Sequence, residues 1–274
     1  MTTLNNIKDY LKYLLKSHNL HGVHSPFIYD LNVNVLNQRV AGTELSNVNK
    51  YRNTLQHQKD FIDVEDLGRG SHQLRNRKRL ISAIYATASC NKRMGEVLFQ
   101  LIHHYDYKNI LELGTCLGVG TAYIESALRD EVNAQITTIE GSSSLHDFTQ
   151  TIFHSVFKEN KVHFVCGNFD SVLQQVVSNI APIDLVLIDG NHTYAATIHY
   201  FNILVSHLNH TSVLIFDDIY WSSEMKRAWQ EIKLHPEVTC TVDLFRWGLV
   251  FFRKEMQKEH FTLRFDGFLQ AHIG

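Results

Sequence analysis

Several familiar devices are missing from this chain of 274 residues, and each absence narrows what it can do. There is no closely spaced cysteine pair: Cys90, Cys116, Cys166 and Cys240 stand far apart. That excludes a zinc knuckle and a disulfide framework and fits a reducing cytosol. Neither sign of charge dominates, with a formal net charge of −2, so nothing global draws the chain to nucleic acid or to an anionic membrane. No apolar run approaches the roughly 18 residues of a membrane span. No basic N-terminal region leads into a cleavable apolar stretch, so a soluble cytoplasmic protein is expected. Low-complexity tracts are absent, and the 17 histidines are scattered, only His192 standing in a motif. What is present is apolar side chain, 44% of the residues, enough for one large α/β domain with an appendage.

Runs such as Leu185 to Ile188 and Val213 to Phe216 are continuous rather than alternating, the pattern of strands buried on both faces. From Asn109 the pattern alternates. Strands are predicted at 109–113, 135–140, 161–166, 183–188 and 211–216, and helices at 119–129, 143–157, 170–179, 194–208 and 222–234. Two further strands at 238–244 and 247–253 are joined by the turn Phe245 to Gly248. This order predicts a doubly wound, Rossmann-like α/β domain over 94–274, its seven-stranded sheet mostly parallel with an antiparallel C-terminal hairpin. Residues 1–93 are predicted to form a helical extension and flap that caps the substrate side. Within them, 7–16 form a docking helix with Ile7, Tyr10, Leu11, Leu14 and Leu15 on its apolar face, and 27–37 a second helix. Residues 40–76 are polar and weakly periodic and are predicted to be a long connection with little structure.

Two features carry chemistry. Asp189 closes one apolar run, and Asp217 with Asp218 closes another. In an open α/β sheet the carboxyl ends of strands line the ligand crevice, so three acids there need a cation or a proton between them. The alternative is that Asp217 or Asp218 only caps the following helix. The second feature is "NILELGTCLGVGTAY", where Gly114, Gly118 and Gly120 follow a strand and open a helix, leaving backbone N–H groups free to meet a ligand. Its spacing is not GxGxxG, since Tyr123 stands where the last glycine belongs, and no Gly-Lys-Ser/Thr follows. Glu140 ends the next strand, where a carboxylate can accept hydrogen bonds from two ribose hydroxyls.

In this order, "ILELGTCLGVGT", "ITTIEGSSSL", "LVLIDGNHTY" and "VLIFDDIY" resemble the class I S-adenosylmethionine-dependent methyltransferases. More narrowly, they resemble the small-molecule O-methyltransferases of the catechol O-methyltransferase-like type. The resemblance covers residues 94 to 255. It implies that Glu112, Gly114, Thr115, Cys116, Gly118 and Gly120 hold the amino-acid end of S-adenosylmethionine, that Glu140 with Gly141 meets its ribose, and that Gly167, Asn168 and Phe169 flank its adenine. Asp189, also beside the cofactor, Asp217 and Asp218 match positions that bind a divalent cation, magnesium by preference. The chain departs in one place, carrying His192 and Asp218 where the catechol-type enzymes often have Lys and Asn. The Asp-Gly-x-His form is similar to methyltransferases acting on sugar hydroxyls, which makes His192 the candidate base alongside Asp189.

The acceptor implied is a small molecule, anionic or sugar-like, with no membrane and no nucleic acid involved. Arg69, Arg75, Arg77, Lys78, Arg79, Lys92 and Arg93 form a basic segment with no acid from Leu67 to Gly95, either a solvated face or an anion site. An RNA or protein methyltransferase using that segment is one alternative, although the Asn/Asp-Pro-Pro-Tyr/Phe signature is replaced here by "DGNHTY". A non-catalytic S-adenosylmethionine-binding or interaction protein is the other, its aromatic tail "FFRKEMQKEHFTLRF" pairing across a homodimer.

Overall fold

The computed structural model describes residues 3–18, 25–65 and 78–265. The chain begins with helices α1 (Thr3–Lys16) and α2 (Pro26–Leu31), the latter running into a π-helical turn at Asn32–Leu36. There follow α3 (Ser46–Gln56), strands β1 (Phe61–Asp63) and β2 (Lys78–Leu80), and helices α4 (Ile81–Ala88) and α5 (Lys92–Tyr105). The alternating part comprises β3 (Asn109–Leu113), α6 (Val119–Ala127), β4 (Gln135–Glu140), α7 (Ser143–Val156), β5 (Val162–Cys166) and α8 (Phe169–Ile180). It continues with β6 (Ile183–Ile188), α9 (Tyr194–Val205), β7 (Leu208–Phe216) and α10 (Ser223–Leu234), then β8 (Cys240–Asp243), β9 (Gly248–Phe251) and β10 (Glu259–Thr262). This is the mixed α/β, mostly parallel, Rossmann-like arrangement expected, with antiparallel strands near the C-terminus. Two compact units are present, residues 34–172 and residues 1–33 with 173–274.

In the unit of 34–172, β3, β4 and β5 run parallel, and the register sets Glu112 beside Thr138 and Glu140 beside Cys166. Residues 40–76 depart from expectation, because α3 forms there and buries Val48, Tyr51 and Leu55. These join Leu45, Ile81, Ile84, Phe99, Leu117 and Phe153 in one apolar cluster, each large side chain contributing about 1.5–3 kcal/mol through burial. The Tyr51 ring meets Phe153 edge-on with centroids 5.5 Å apart. Asn91 caps α5 by accepting from the Met94 N–H. Within α5, Arg93 is buried, donating to the carbonyls of Leu36 and Gln38 and pairing with Glu96 at 3.2 Å. It therefore belongs neither to a solvated face nor to an anion site. Arg69, Arg75 and Arg77 lie outside the described residues.

In the other unit, β6 and β7 are parallel, while β9 is antiparallel to both β7 and β8. All seven strands expected from the alternation form. An eighth, β10, comes from the aromatic tail and runs parallel to β8 in the same chain, pairing Glu259 with Cys240 and Thr262 with Asp243. Helix α1 docks by a face rotated from the one its apolar residues suggest, with Tyr10 common to both. Tyr13 is buried and donates to the Leu263 carbonyl at 2.5 Å, Asp9 pairs with Lys226 at 2.7 Å, and Tyr10 packs edge-on to Phe245. Ile7, Leu11 and Leu15 remain exposed, at 53%, 54% and 88%. A tyrosine buries a large ring and still satisfies its hydroxyl, which outweighs three aliphatic side chains left on the surface. Among the described residues no helix is long and apolar enough to cross a membrane.

Candidate functional site

The glycine-rich loop leaves β3 through three residues with positive φ: Gly114 at 102°, Cys116 at 48° and Gly118 at 66°. Gly118 is the N-cap of α6, and a methyl group there would lie 2.9 Å from the Thr149 side chain and 3.2 Å from the Tyr51 hydroxyl. That hydroxyl donates to the Leu117 carbonyl at 2.8 Å, and Thr149 donates to the Cys116 carbonyl at 2.7 Å. The loop is thus held from outside by α3 and α7. Its inner side is tied to β4, where the N–H groups of Gly114 and Thr115 both reach the Ile139 carbonyl.

Glu140 completes this half. Its Oε2 accepts from the Cys116 N–H at 2.8 Å and its Oε1 from the Ser142 N–H at 2.9 Å, so the carboxylate is fixed with lone pairs to spare. Burial raises its pKa against the opposing pull of these backbone donors. Glu112 is more deeply enclosed, 2% exposed, and accepts from the hydroxyls of Thr121 at 2.5 Å and Thr138 at 2.7 Å. Burial pushes its carboxyl from its ordinary value up to about 7. Thr115 bonds Thr138 at 2.6 Å, extending this buried hydroxyl network. After β5, the Asn168 side chain accepts from the Asp170 N–H at 3.0 Å at the start of α8, next to Phe169. Gly120 lies in the first turn of α6, and Gly141 follows Glu140 directly.

The acid cluster stands where parallel strands β6 and β7 end together, with Ile188 opposite Phe216. The Asp217 N–H donates to the Ile188 carbonyl at 3.0 Å, which brings Asp189 beside the later pair as the apolar runs implied. A fourth charged residue, absent from the sequence reading, is also present. Arg246 sets its Nε 3.0 Å from Asp217 Oδ1 and its Nη2 3.1 Å from Asp217 Oδ2, and the same Nε lies 3.4 Å from Asp218 Oδ1. Burial works against ionising Asp217, but the charge and hydrogen bonds of Arg246 outweigh it and hold the carboxyl below its ordinary range. Asp218 is driven the other way, by burial and by Asp217, up to about 7. Burial and its two acidic neighbours raise Asp189 well above its ordinary value.

His192 lies in the loop between β6 and α9, its Nε2 3.6 Å from Asp189 Oδ1. Burial lowers its pKa, exceeding the upward pull of Asp217, so the imidazole is neutral near pH 7. It does not start the helix; Thr193 caps α9 by accepting from the Ala196 N–H. Nor does either later acid cap α10, a role taken by Ser222, which accepts from the Met225 N–H at 3.0 Å. Asn191, Asp218 and Phe245, at φ of 51°, 54° and 70°, adopt a left-handed conformation that residues other than glycine seldom enter, and all three lie in the loops of this cluster.

A divalent cation needs several unengaged oxygen ligands. Here both oxygens of Asp217 serve Arg246, and among the described residues no group of three or more His, Cys, Asp or Glu is disposed to hold a metal ion. The acids in this arrangement do not fit such an ion. Arg246 carried no motif that could have announced it; the only signal was the acid crowding itself, which demands a positive charge.

Residues 111–219 match the family model described as a methyltransferase domain. No curated protein matches the chain. Among solved structures, the chain is similar in fold to an O-methyltransferase from Bacillus cereus in complex with SAH, at TM-score 0.54 and 18% identity over 82% of this chain and 96% of that one. A SAH-bound methyltransferase from Podospora anserina matches at TM-score 0.56 and 11% identity, over 93% and 97%. The O-methyltransferase of tomaymycin synthesis from Streptomyces achromogenes, in complex with SAM, matches at TM-score 0.52 and 16% identity, over 60% and 82%.

Proposed function

We propose, on the premise that this chain is a class I S-adenosylmethionine-dependent methyltransferase, that it methylates a hydroxyl oxygen of a small molecule. The observation that carries the cofactor half is Glu140, a carboxylate pinned by two backbone N–H groups beside the glycine-rich loop. A group already fixed in place loses little freedom when it accepts two ribose hydroxyls, which favours binding. Gly114, Thr115, Cys116, Gly118 and Gly120 offer a close-approach backbone to the amino-acid end, Gly141 adjoins the ribose, and Asn168 and Phe169 flank the adenine. Glu112, already bonded to two threonine hydroxyls, supports the loop from beneath.

When bound, S-adenosylmethionine supplies a methyl carbon whose bonding pair returns to sulfur as an acceptor lone pair forms the new O–C bond. His192 takes the acceptor's proton on its neutral ring, and Asp189, within 3.6 Å, stands beside the imidazolium that results. The divalent cation implied by the family resemblance has no step in this reading, because Arg246 engages the acid it would need. Of residues 1–93, helix α1 contributes to the acceptor-side cap; the packing of Tyr10 and Tyr13 on Phe245, next to Arg246, supports this. We place the protein in the cytoplasm and its acceptor among anionic or sugar-like metabolites.

Calorimetry with SAH tests the cofactor half. Wild type should bind, and Glu140→Ala should bind roughly 30- to 150-fold more weakly, the worth of about 2–3 kcal/mol of charge-assisted hydrogen bonds. No binding by wild type, or full affinity in a folded Glu140→Ala, removes the reading.

A further inference from the structure

We propose that Arg246 is the built-in counter-cation of the acid cluster, standing in for the divalent ion, so that this chain transfers methyl to oxygen without a metal. This inference rests on the methyl-transfer reading above. Its support is geometric. The guanidinium meets Asp217 as a fork, one nitrogen to each carboxylate oxygen at 3.0 and 3.1 Å, and its Nε also approaches Asp218 at 3.4 Å. Such bidentate pairs are the strongest that charged side chains form, and arginine keeps its charge at any working pH.

The turn that delivers Arg246 is built around it. Phe245 holds φ 70°, a conformation a bulky residue rarely adopts. Asp243 braces it with both oxygens, Oδ1 accepting from the Phe245 N–H at 2.8 Å and Oδ2 from the Tyr220 hydroxyl at 2.7 Å. The Phe245 ring is stacked on Tyr220 and flanked by Tyr10 and Tyr13. The Arg246 carbonyl accepts from the Ile219 N–H at 3.2 Å, one residue past Asp218. These restraints fix the backbone from which the Arg246 side chain projects toward the acids.

The charge logic follows. A metal ion would coordinate the acceptor oxygen and lower its pKa directly; a guanidinium already bonded to Asp217 cannot coordinate, so proton removal falls wholly to His192. The balance is complete without further reagents. The acceptor O–H bond breaks with its proton going to His192, the oxygen pair forms the O–C bond, and the S–C pair remains on sulfur. Arg246 acts on the acids and not on the reacting atoms, so it is a positioning residue.

Manganese titration of the full chain, followed by electron paramagnetic resonance of free Mn²⁺, tests this without any acceptor. Wild type should leave Mn²⁺ free into the millimolar range. Arg246→Ala, confirmed as folded by circular dichroism, should take up Mn²⁺ at least about tenfold more tightly, because its acids have lost their counter-cation. Arg246→Lys, which keeps the charge but cannot form the fork to both Asp217 oxygens, should take up Mn²⁺ more tightly than wild type and less tightly than Arg246→Ala. If Arg246→Ala does not fold, Arg246→Gln, similar in size but uncharged, carries the same comparison. Stoichiometric Mn²⁺ uptake by wild type, or no gain in a folded uncharged variant, overturns the inference. Wild type that fails to bind SAH in a parallel titration breaks the methyl-transfer reading instead and leaves the manganese comparison standing.

Discussion

Glu140 ends one strand and Asp217 follows another, and each loses most of its contact with water, yet one is met by backbone N–H groups and the other by a full positive charge. In the unit of 34–172, Glu112 and Glu140 are satisfied entirely by hydroxyl and amide donors. Those donors do not cancel the cost of ionisation, and both carboxyls are shifted upward by burial. In the other unit, Arg246 holds Asp217 ionised against the cost of burial, while burial first and then the negative charge of Asp217 push Asp218 and Asp189 toward protonation. On the reading proposed above, fixed dipoles serve the ribose hydroxyls, and the charged cluster serves proton transfer.

If that division is correct, variants in the two regions should separate binding from chemistry. His192→Ala should lower turnover of S-adenosylmethionine with a hydroxyl acceptor by roughly 10²- to 10⁴-fold while leaving SAH affinity near wild type. Rescue at higher pH, as the acceptor ionises unaided, would sharpen the assignment; loss of SAH affinity instead would break the comparison.

A smaller effect is expected from Glu112. Its carboxyl is raised in the folded state from an ordinary 4.5 to about 7, so the folded protein holds that proton more tightly than the unfolded chain does. The carboxyl therefore costs nothing below pH 4.5 and progressively more up to pH 7, reaching about 3 kcal/mol. Stability measured by urea denaturation should fall as pH rises through this window. Glu112→Gln should lack that part of the slope, so a difference between the two proteins that stays constant with pH would count against it.

The smallest effect concerns the loop backbone. Gly118→Ala, at φ 66° and with its methyl 2.9 Å from the Thr149 side chain, should cost about 1–3 kcal/mol of stability and weaken SAH binding by displacing the loop. Unchanged melting temperature and affinity would mean that the loop is less constrained than Tyr51 and Thr149 imply.

The strands and helices from Asn109 to Phe251 were legible because long apolar runs and regular spacing leave few alternatives. Expected and observed bounds there differ by a few residues. Helix α3 escaped notice because Val48, Tyr51 and Leu55 are diluted by Asn49, Lys50, Arg52, Asn53 and Thr54. In α1 the apolar face was only partly the docking one, since Tyr10 packs on Phe245 while Tyr13 and Asp9, off that face, find partners distant in sequence, Leu263 and Lys226. The acids, the glycine-rich loop and His192 were all readable as candidates, since each stands at the end of a recognisable apolar run.

The sequence by itself determined that buried strands would end in carboxylates, and hence that compensating donors or charges had to exist. Tertiary structure alone decided which they were: for Glu140 the Cys116 N–H of the loop, 24 residues earlier, and for Asp217 a guanidinium 29 residues further along the chain. Local pattern fixes where a chain extends, coils and turns, because those preferences act over a few residues. The pairing of charges depends on which loops a fold brings within about 3 Å, and no short-range rule encodes that distance.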